Sequence, residues 1–221
     1  TTGASNTAVG RDAGLSVTTG ANNTLMGSFA GDALIASSDN VAVGYEALTT
    51  ETGGQNNVAV GRSALENQVN SSGNIFNTAV GAKAGRAITT GIKNNLFGGN
   101  AGLALTDADF NTALGHSALA TDTQGSKSTA VGFQALTTQN FTSATDTGNT
   151  AVGYNAGLAV TTGTGNTLIG GLTGDATTTG TGNTAVGNES LGANTTGSDN
   201  VAIGKDALDA NTTADDNTAV G

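Results

Sequence analysis

The 221-residue sequence contains no cysteine, no proline, no tryptophan and a single histidine. Without cysteine there is no disulfide, no thiol nucleophile and no thiolate metal ligand. The lone His116 falls in a column where other coils have Arg11, Tyr45, Arg62, Phe133, Tyr154 or Lys205, among others. It reads as one variant of an exposed position, not a catalytic base, and no enzymatic activity or cofactor is expected. Aromatic residues make up only 4% of the chain, so no compact core of large side chains can be built. The absence of proline suits a continuous hydrogen-bonded ladder, which proline would interrupt. Cations are few, and the formal net charge of −10 argues against nucleic acid or an anionic membrane surface as partner. The acidic residues are scattered and are expected to lie on a solvated face. No run of about 18 apolar residues is available to span a bilayer, and the sequence shows no signal-peptide pattern, which says nothing about secretion.

What the chain has is glycine, 35 residues of it, much of it in register. A unit Asn-Thr-Ala-Val-Gly or a close variant ends at Gly10, Gly27, Gly44, Gly61, Gly81, Gly98, Gly115, Gly132, Gly153, Gly170, Gly187, Gly204 and Gly221. Successive spacings are 17, 17, 17, 20, 17, 17, 17, 21, 17, 17, 17 and 17. A fixed period this short means one structural unit stacked on itself. The whole chain, 1–221, is expected to be a single continuous repeat array. Both ends fall within the repeat, so a longer array is expected.

We number each coil from its Asn. Positions 2 to 4 read as a short strand of β-branched character. Positions 3 and 4 are apolar in every unit and point to opposite faces, so the strand is expected to be covered on both. Position 8 is Ala in most coils. Position 9 is only Gly or Leu: Gly14, Gly31, Leu48, Leu65, Gly85, Gly102, Leu119, Leu136, Gly157, Gly174, Leu191 and Leu208. Position 12 answers it. It is Val17, Leu34, Ile88, Leu105, Val160 or Thr177 after Gly, and Glu51, Gln68, Asp122, Gln139, Asn194 or Asn211 after Leu. One core slot filled from either of two positions explains the exchange, because close packing penalises both a void and an overfill.

The exchange has a period of four coils, with sets at approximately 6–76, 77–148 and 149–216. Leu25, Leu96 and Leu168 at position 3 each fall in the second coil of a set. The two longer coils are both fourth coils. They are expected to bulge outward from one corner, since lengthening a loop costs little. After position 12 come Thr, Gly, Asn, Asp and Ser, which is turn chemistry. The position-1 Asn would then occupy the same corner of every coil, where stacked amides bond one another. Each coil reads as strand, glycine bend, second short extended segment and polar turn. That is an all-β fold, a parallel β-solenoid with 17-residue coils. Helical solenoids need roughly 33 residues per repeat and are set aside. At about 4.8 Å per coil, the span from Gly10 to Gly221 is expected to be roughly 58 Å.

Other motifs carry little. Asp107 with Asp109 and Asp215 with Asp216 lie in turns and do not recur in every coil, so no metal site is expected. Gly163-Thr164-Gly165 lacks the following Lys-Ser/Thr of a phosphate loop. The Thr column at position 2 raises ice binding as a further alternative, although Val41, Val58, Asn95 and Val201 interrupt it.

Asn200-Val201-Ala202-Ile203-Gly204 and Asn40-Val41-Ala42-Val43-Gly44 resemble the head repeats of trimeric autotransporter adhesins. Gly44-Tyr45-Glu46-Ala47-Leu48 and Gly153-Tyr154-Asn155-Ala156-Gly157 are closer to the Asn-Thr-Ala-Ile-Gly arrays of phage tail fibres and bacterial surface fibre proteins. The resemblance covers the whole chain. It implies a left-handed parallel β-roll assembled as a parallel homotrimer, and an extracellular place on a virion appendage or cell surface. The leading expectation is a non-enzymatic fibre shaft whose main partner is itself. The alternative is a receptor- or glycan-binding segment acting through the irregular loops, with Phe76 and Phe141 as contact residues. In the trimer, Ala8, Ala42, Ala79 and their equivalents are expected near the subunit interface.

Overall fold

The computed structural model describes residues 3–221, and it contains no helix among them. The chain divides into two compact units, Thr1–Phe110 and Asn111–Gly221. Each is a parallel β-solenoid.

The first unit contains β1 (Thr7–Val9), β2 (Thr24–Met26), β3 (Val41–Val43), β4 (Gly54–Gln55), β5 (Val58–Val60), β6 (Gly73–Asn74), β7 (Thr78–Val80) and β8 (Asn95–Phe97). The three-residue strands stack in the order β1-β2-β3-β5-β7-β8. Pairing is parallel and strictly in register: Thr7 faces Thr24, Ala8 faces Leu25 and Val9 faces Met26. The pairing of Val58 with Thr78 shows that the longer coil leaves the register intact. The second unit contains β9 (Thr112–Leu114), β10 (Gly125–Ser126), β11 (Thr129–Val131), β12 (Thr145–Asp146), β13 (Thr150–Val152), β14 (Thr167–Ile169), β15 (Thr184–Val186), β16 (Val201–Ile203) and β17 (Thr218–Val220). Its three-residue strands stack in the order β9-β11-β13-β14-β15-β16-β17.

Every three-residue strand occupies positions 2 to 4 and stops at the position-5 glycine. That glycine has φ near +135° at Gly10 and +134° at Gly27, a region other residues rarely enter. Stacking adds a second constraint. A Cβ on Gly27 would stand 2.5 Å from the Gly44 carbonyl oxygen of the next coil. No side chain fits at this corner, which accounts for its invariance along the chain. The segment after it is not extended, contrary to the sequence reading. It is a run of turns, closed by bonds such as Ala13 N–H to the Gly10 carbonyl and Val17 N–H to the Gly14 carbonyl. Positions 7 and 9 there are left-handed in coil after coil, as at Asp12 and Gly14.

The core is thin and runs through the inside of the coils. It consists of position 3, position 8 and the slot served by positions 9 and 12. Leu25, Ala42, Ala59, Ala79 and Leu96 are fully buried in the first unit, as are Ala113, Ala130, Ala151 and Leu168 in the second. Each fully buried Leu contributes about 1.5–3 kcal/mol over an exposed one. The shared slot is real. A Cβ on Gly31 would lie 2.7 Å from the Leu34 Cδ1 atom, and one on Gly85 would lie 3.0 Å from the Ile88 Cδ1 atom. The position-3 leucines complete the packing. Cβ atoms added to Gly14 and Gly31 would stand 2.7 and 2.8 Å from the two methyls of Leu25. Leu96 reaches Gly85 and Gly102 in the same way, and Leu168 reaches Gly157 and Gly174. One leucine thus spans two glycine coils, and the four-coil rhythm is a packing rhythm.

The Asn ladder forms as expected. Asn40 donates its backbone N–H and its Nδ2 to Asn23 Oδ1 at 3.0 and 3.2 Å, and Nδ2 also reaches the Gly54 carbonyl at 3.1 Å. The same set recurs at Asn166, Asn183 and Asn200.

Candidate functional site

Three surface features distinguish themselves from the uniform coil. The first is the outward face of the strands. Because side chains alternate along a strand, burying position 3 turns positions 2 and 4 outward. Position 4 is apolar in every coil, yet Met26 is 47% exposed, Leu114 49% and Ile169 39%. This chain therefore covers only one face of its strands, where the sequence suggested two. The expected interface residues change with it. Ala42 and Ala79 lie in the chain's own core and face no neighbour, whereas Met26, Val43, Val60, Val80 and Phe97 form an in-register outward column. Position 2, mostly Thr, lies beside it.

The second feature is the corner where the long coils bulge. In the first unit residues 71–74 are exposed, and β6 pairs in parallel with β4, Gly54 facing Gly73. In the second unit β12 pairs with β10 at the equivalent place, Gly125 facing Thr145. Both insertions thus leave from the same corner of their coil. A buried carboxylate anchors each. Glu51, fully buried, accepts the backbone N–H groups of Thr52, Gly53, Gly54 and Asn70 on Oε1 and the Gln68 Nε2 on Oε2. Gln68 Oε1 in turn accepts from Asn77 at 2.8 Å. Asp122 accepts from Gly125 N–H, Phe141 N–H and Gln139 Nε2, and Gln139 Oε1 accepts from Asn149. These two acids belong to the interior, not to the solvated face that the sequence suggested. The third set has no insertion, and Asn194 stands in their place.

The two phenylalanines named from the sequence separate here. Phe141 is only 8% exposed, so its ring is not presented to a partner. Phe76 is 48% exposed and is the last residue of its 20-residue coil, directly before Asn77 and equivalent to position 17 of the shorter coils. Two coils on, in the same column, Phe110 is 47% exposed. Between them is Lys93, whose Nζ lies 5.1 Å from the Phe110 ring centre. Phe110 was missed in the sequence, although its place directly before an Asn, like that of Phe76, marks the shared column.

The third feature is a set of exposed rings around position 6. In the second unit His116 stacks on Phe133 and Phe133 on Tyr154, with centres 5.7 and 5.6 Å apart. In the first unit Arg11 lies 4.3 Å over Phe29, which meets Tyr45 edge-on. Also in the first unit, a shallow cleft of about 420 Å³ is lined by Asn67, Arg86, Ala87, Leu103 and Ala104. Its Arg86 pairs with Glu66 at 2.8 Å. Burial pushes the Glu66 carboxyl up, but hydrogen bonds from Arg86 and Ser63 outweigh it and leave it below the ordinary value. No group of three or more metal-ligating side chains occurs among the described residues. No helix among them is long and apolar enough to cross a membrane.

Comparison with protein-family models, with curated proteins and with solved structures finds no match.

Proposed function

We propose that this chain is a segment of the structural shaft of an extracellular fibre, a phage tail fibre or a cell-surface adhesin, assembled as a parallel homotrimer. The proposal includes a left-handed coil, as the repeat resemblance implies. The observation that carries the assembly is the outward position-4 column. Within each unit, an apolar file at the coil period is an exposed patch of the kind that marks association surfaces. Its natural occupant is another copy of the same chain. Only a partner with the same repeat meets the column at every level, and a closed symmetric arrangement buries it without leaving an open face. The regular interior is compatible with a structural role. Coil after coil repeats the same parallel backbone ladder and, except at Ser128, the same Asn ladder.

A second reading rests on the same face. Nine of the thirteen coils place Thr at position 2, and a flat Thr file beside an apolar one suits ice binding by a free monomer. Light scattering separates the two. A stable folded monomer that arrests ice growth supports the second, and a trimer without thermal hysteresis supports the first.

A further inference from the structure

The ring column at position 6 stops short in the second unit. Its levels there are His116, Phe133, Tyr154, Gly171, Asn188 and Lys205. The first three stack, with centres 5.7 and 5.6 Å apart and planes within 14° and 10° of parallel. That is the offset geometry aromatic pairs prefer. At the next level Gly171 has no side chain to continue the stack. Tyr154 is 57% exposed, against 44% for Phe133, and is the most exposed Phe or Tyr among the described residues.

Nothing in the coil requires this glycine. Its φ lies outside the left-handed region, and a Cβ added there would meet only Asn188 Nδ2, at an ordinary 3.5 Å. The equivalent coil of the first four-coil set shows how a small position 6 is otherwise completed. There Ser28 is followed by Phe29. The Phe29 ring lies 4.3 Å from the Arg11 guanidinium of the coil before and meets Tyr45 of the coil after edge-on, with centres 6.1 Å apart. Position 7 thus supplies a ring where position 6 has none. In the third set Gly171 is followed by Leu172, the one apolar position-7 residue of the second unit, which brings no ring. On the far side of Gly171 stands Asn188, exposed, with Nδ2 donating to the Gly171 carbonyl at 2.9 Å. Its Oδ1 accepts no hydrogen bond among the described residues.

We propose that the Gly171 level, between Tyr154 and Asn188, binds a planar aromatic side chain of a partner protein. Two coil steps of ~4.8 Å separate the levels of Tyr154 and Asn188, which leaves room for one ring at the spacing the column already uses. The ring stacks on the open face of Tyr154, and Asn188 Oδ1 accepts a peptide N–H of the segment that carries it. A small-molecule pocket encloses most of its ligand. This level is open to solvent on its outer side, which suits a ring delivered on a larger surface. The proposal goes beyond the shaft reading and does not rest on it.

The test uses N-acetyltryptophanamide as probe, with N-acetylleucinamide, methyl glucoside and free indole for comparison, and follows backbone amide NMR shifts. The tryptophan amide is expected to give saturable shifts at Gly171, Leu172 and Glu189, and to bind more tightly than indole. The leucine amide and the glucoside are expected to leave those signals in place. Tyr154→Ala removes the platform and is expected to weaken binding about fivefold, the scale of one aromatic pair. Gly171→Phe fills the level from within the chain and is expected to keep the fold and block the probe. Molar mass measured on the same samples reads assembly separately from binding. Absence of saturable shifts in the wild-type chain, or affinity unchanged in Gly171→Phe, overturns the proposal. So does equal binding of the leucine amide or the glucoside, and indole binding as tightly as the amide overturns the partner side chain as ligand.

Discussion

Among single residues, the slot shared by positions 9 and 12 yields the sharpest consequences. Thr177 is the one polar occupant of the slot after a glycine, and its hydroxyl is buried with no hydrogen-bond partner. An unpaired buried hydroxyl costs roughly 1–3 kcal/mol. Thr177→Val is therefore expected to stabilise the second unit by about that amount, measured by denaturant unfolding. The leucines test the slot from the other side. Leu191→Gly opens a cavity at a cost of about 2–5 kcal/mol, offset by roughly 1 kcal/mol because glycine accepts the left-handed backbone. Adding Asn194→Val is expected to refill the slot and recover part of the loss. The exchange between Leu and Gly was legible in the sequence as two columns that alternate. The polar partners were legible only as non-apolar. Adding Glu51→Val to Leu48→Gly is the rescue that sequence alone suggests. The structure predicts it fails, because it strips the Thr52, Gly54 and Asn70 N–H groups of their acceptor and removes one of the two acceptors of Gly53 N–H. A more stable double mutant at 48 and 51 would refute that account of Glu51.

For whole elements, the sequence placed the strands, because a β-branched or threonine-led triplet closed by a glycine is a local signal. It misread the segment that follows. Position 9 looks like a core residue of an extended segment when it is Leu, yet Leu48 and Leu65 sit at φ of 54° and 50°. Backbone sign is invisible where a bulky residue is forced into a glycine conformation by the coil. The position of each insertion was legible as extra length, but its anchor was not, since Glu51 lies some twenty residues before the loop it holds. Glu51→Gln presents an amide donor to groups that are themselves donors. It is expected to cost about 1–3 kcal/mol and to speed amide exchange at Asn70 and through residues 71–74. Exchange in coils without contact to Glu51 is expected to stay unchanged, as stability in stacked repeats is largely local. A uniform increase across the first unit would argue against a loop anchor.

For the molecule as a whole, the repeat made the solenoid legible and left its outer face unread. Two adjacent apolar positions signal a strand with two apolar faces, but not which face the chain covers itself. The structure assigns position 3 to the interior, where Ala leaves room for Leu48, Leu65 and their equivalents. It turns position 4 outward, where the proposed trimer would bury it. A charge in that column is the direct perturbation, since an unpaired charge buried in an interface is costly. Val60→Lys with Val131→Lys is expected to leave each unit folded by circular dichroism and to shift the protein toward monomer. The decisive measurement is the molar mass of the wild-type chain by light scattering across a dilution series. The account predicts three times the 21.3 kDa chain mass, persisting on dilution. A folded, soluble species at the mass of one chain, with the position-4 column open to water, would contradict it.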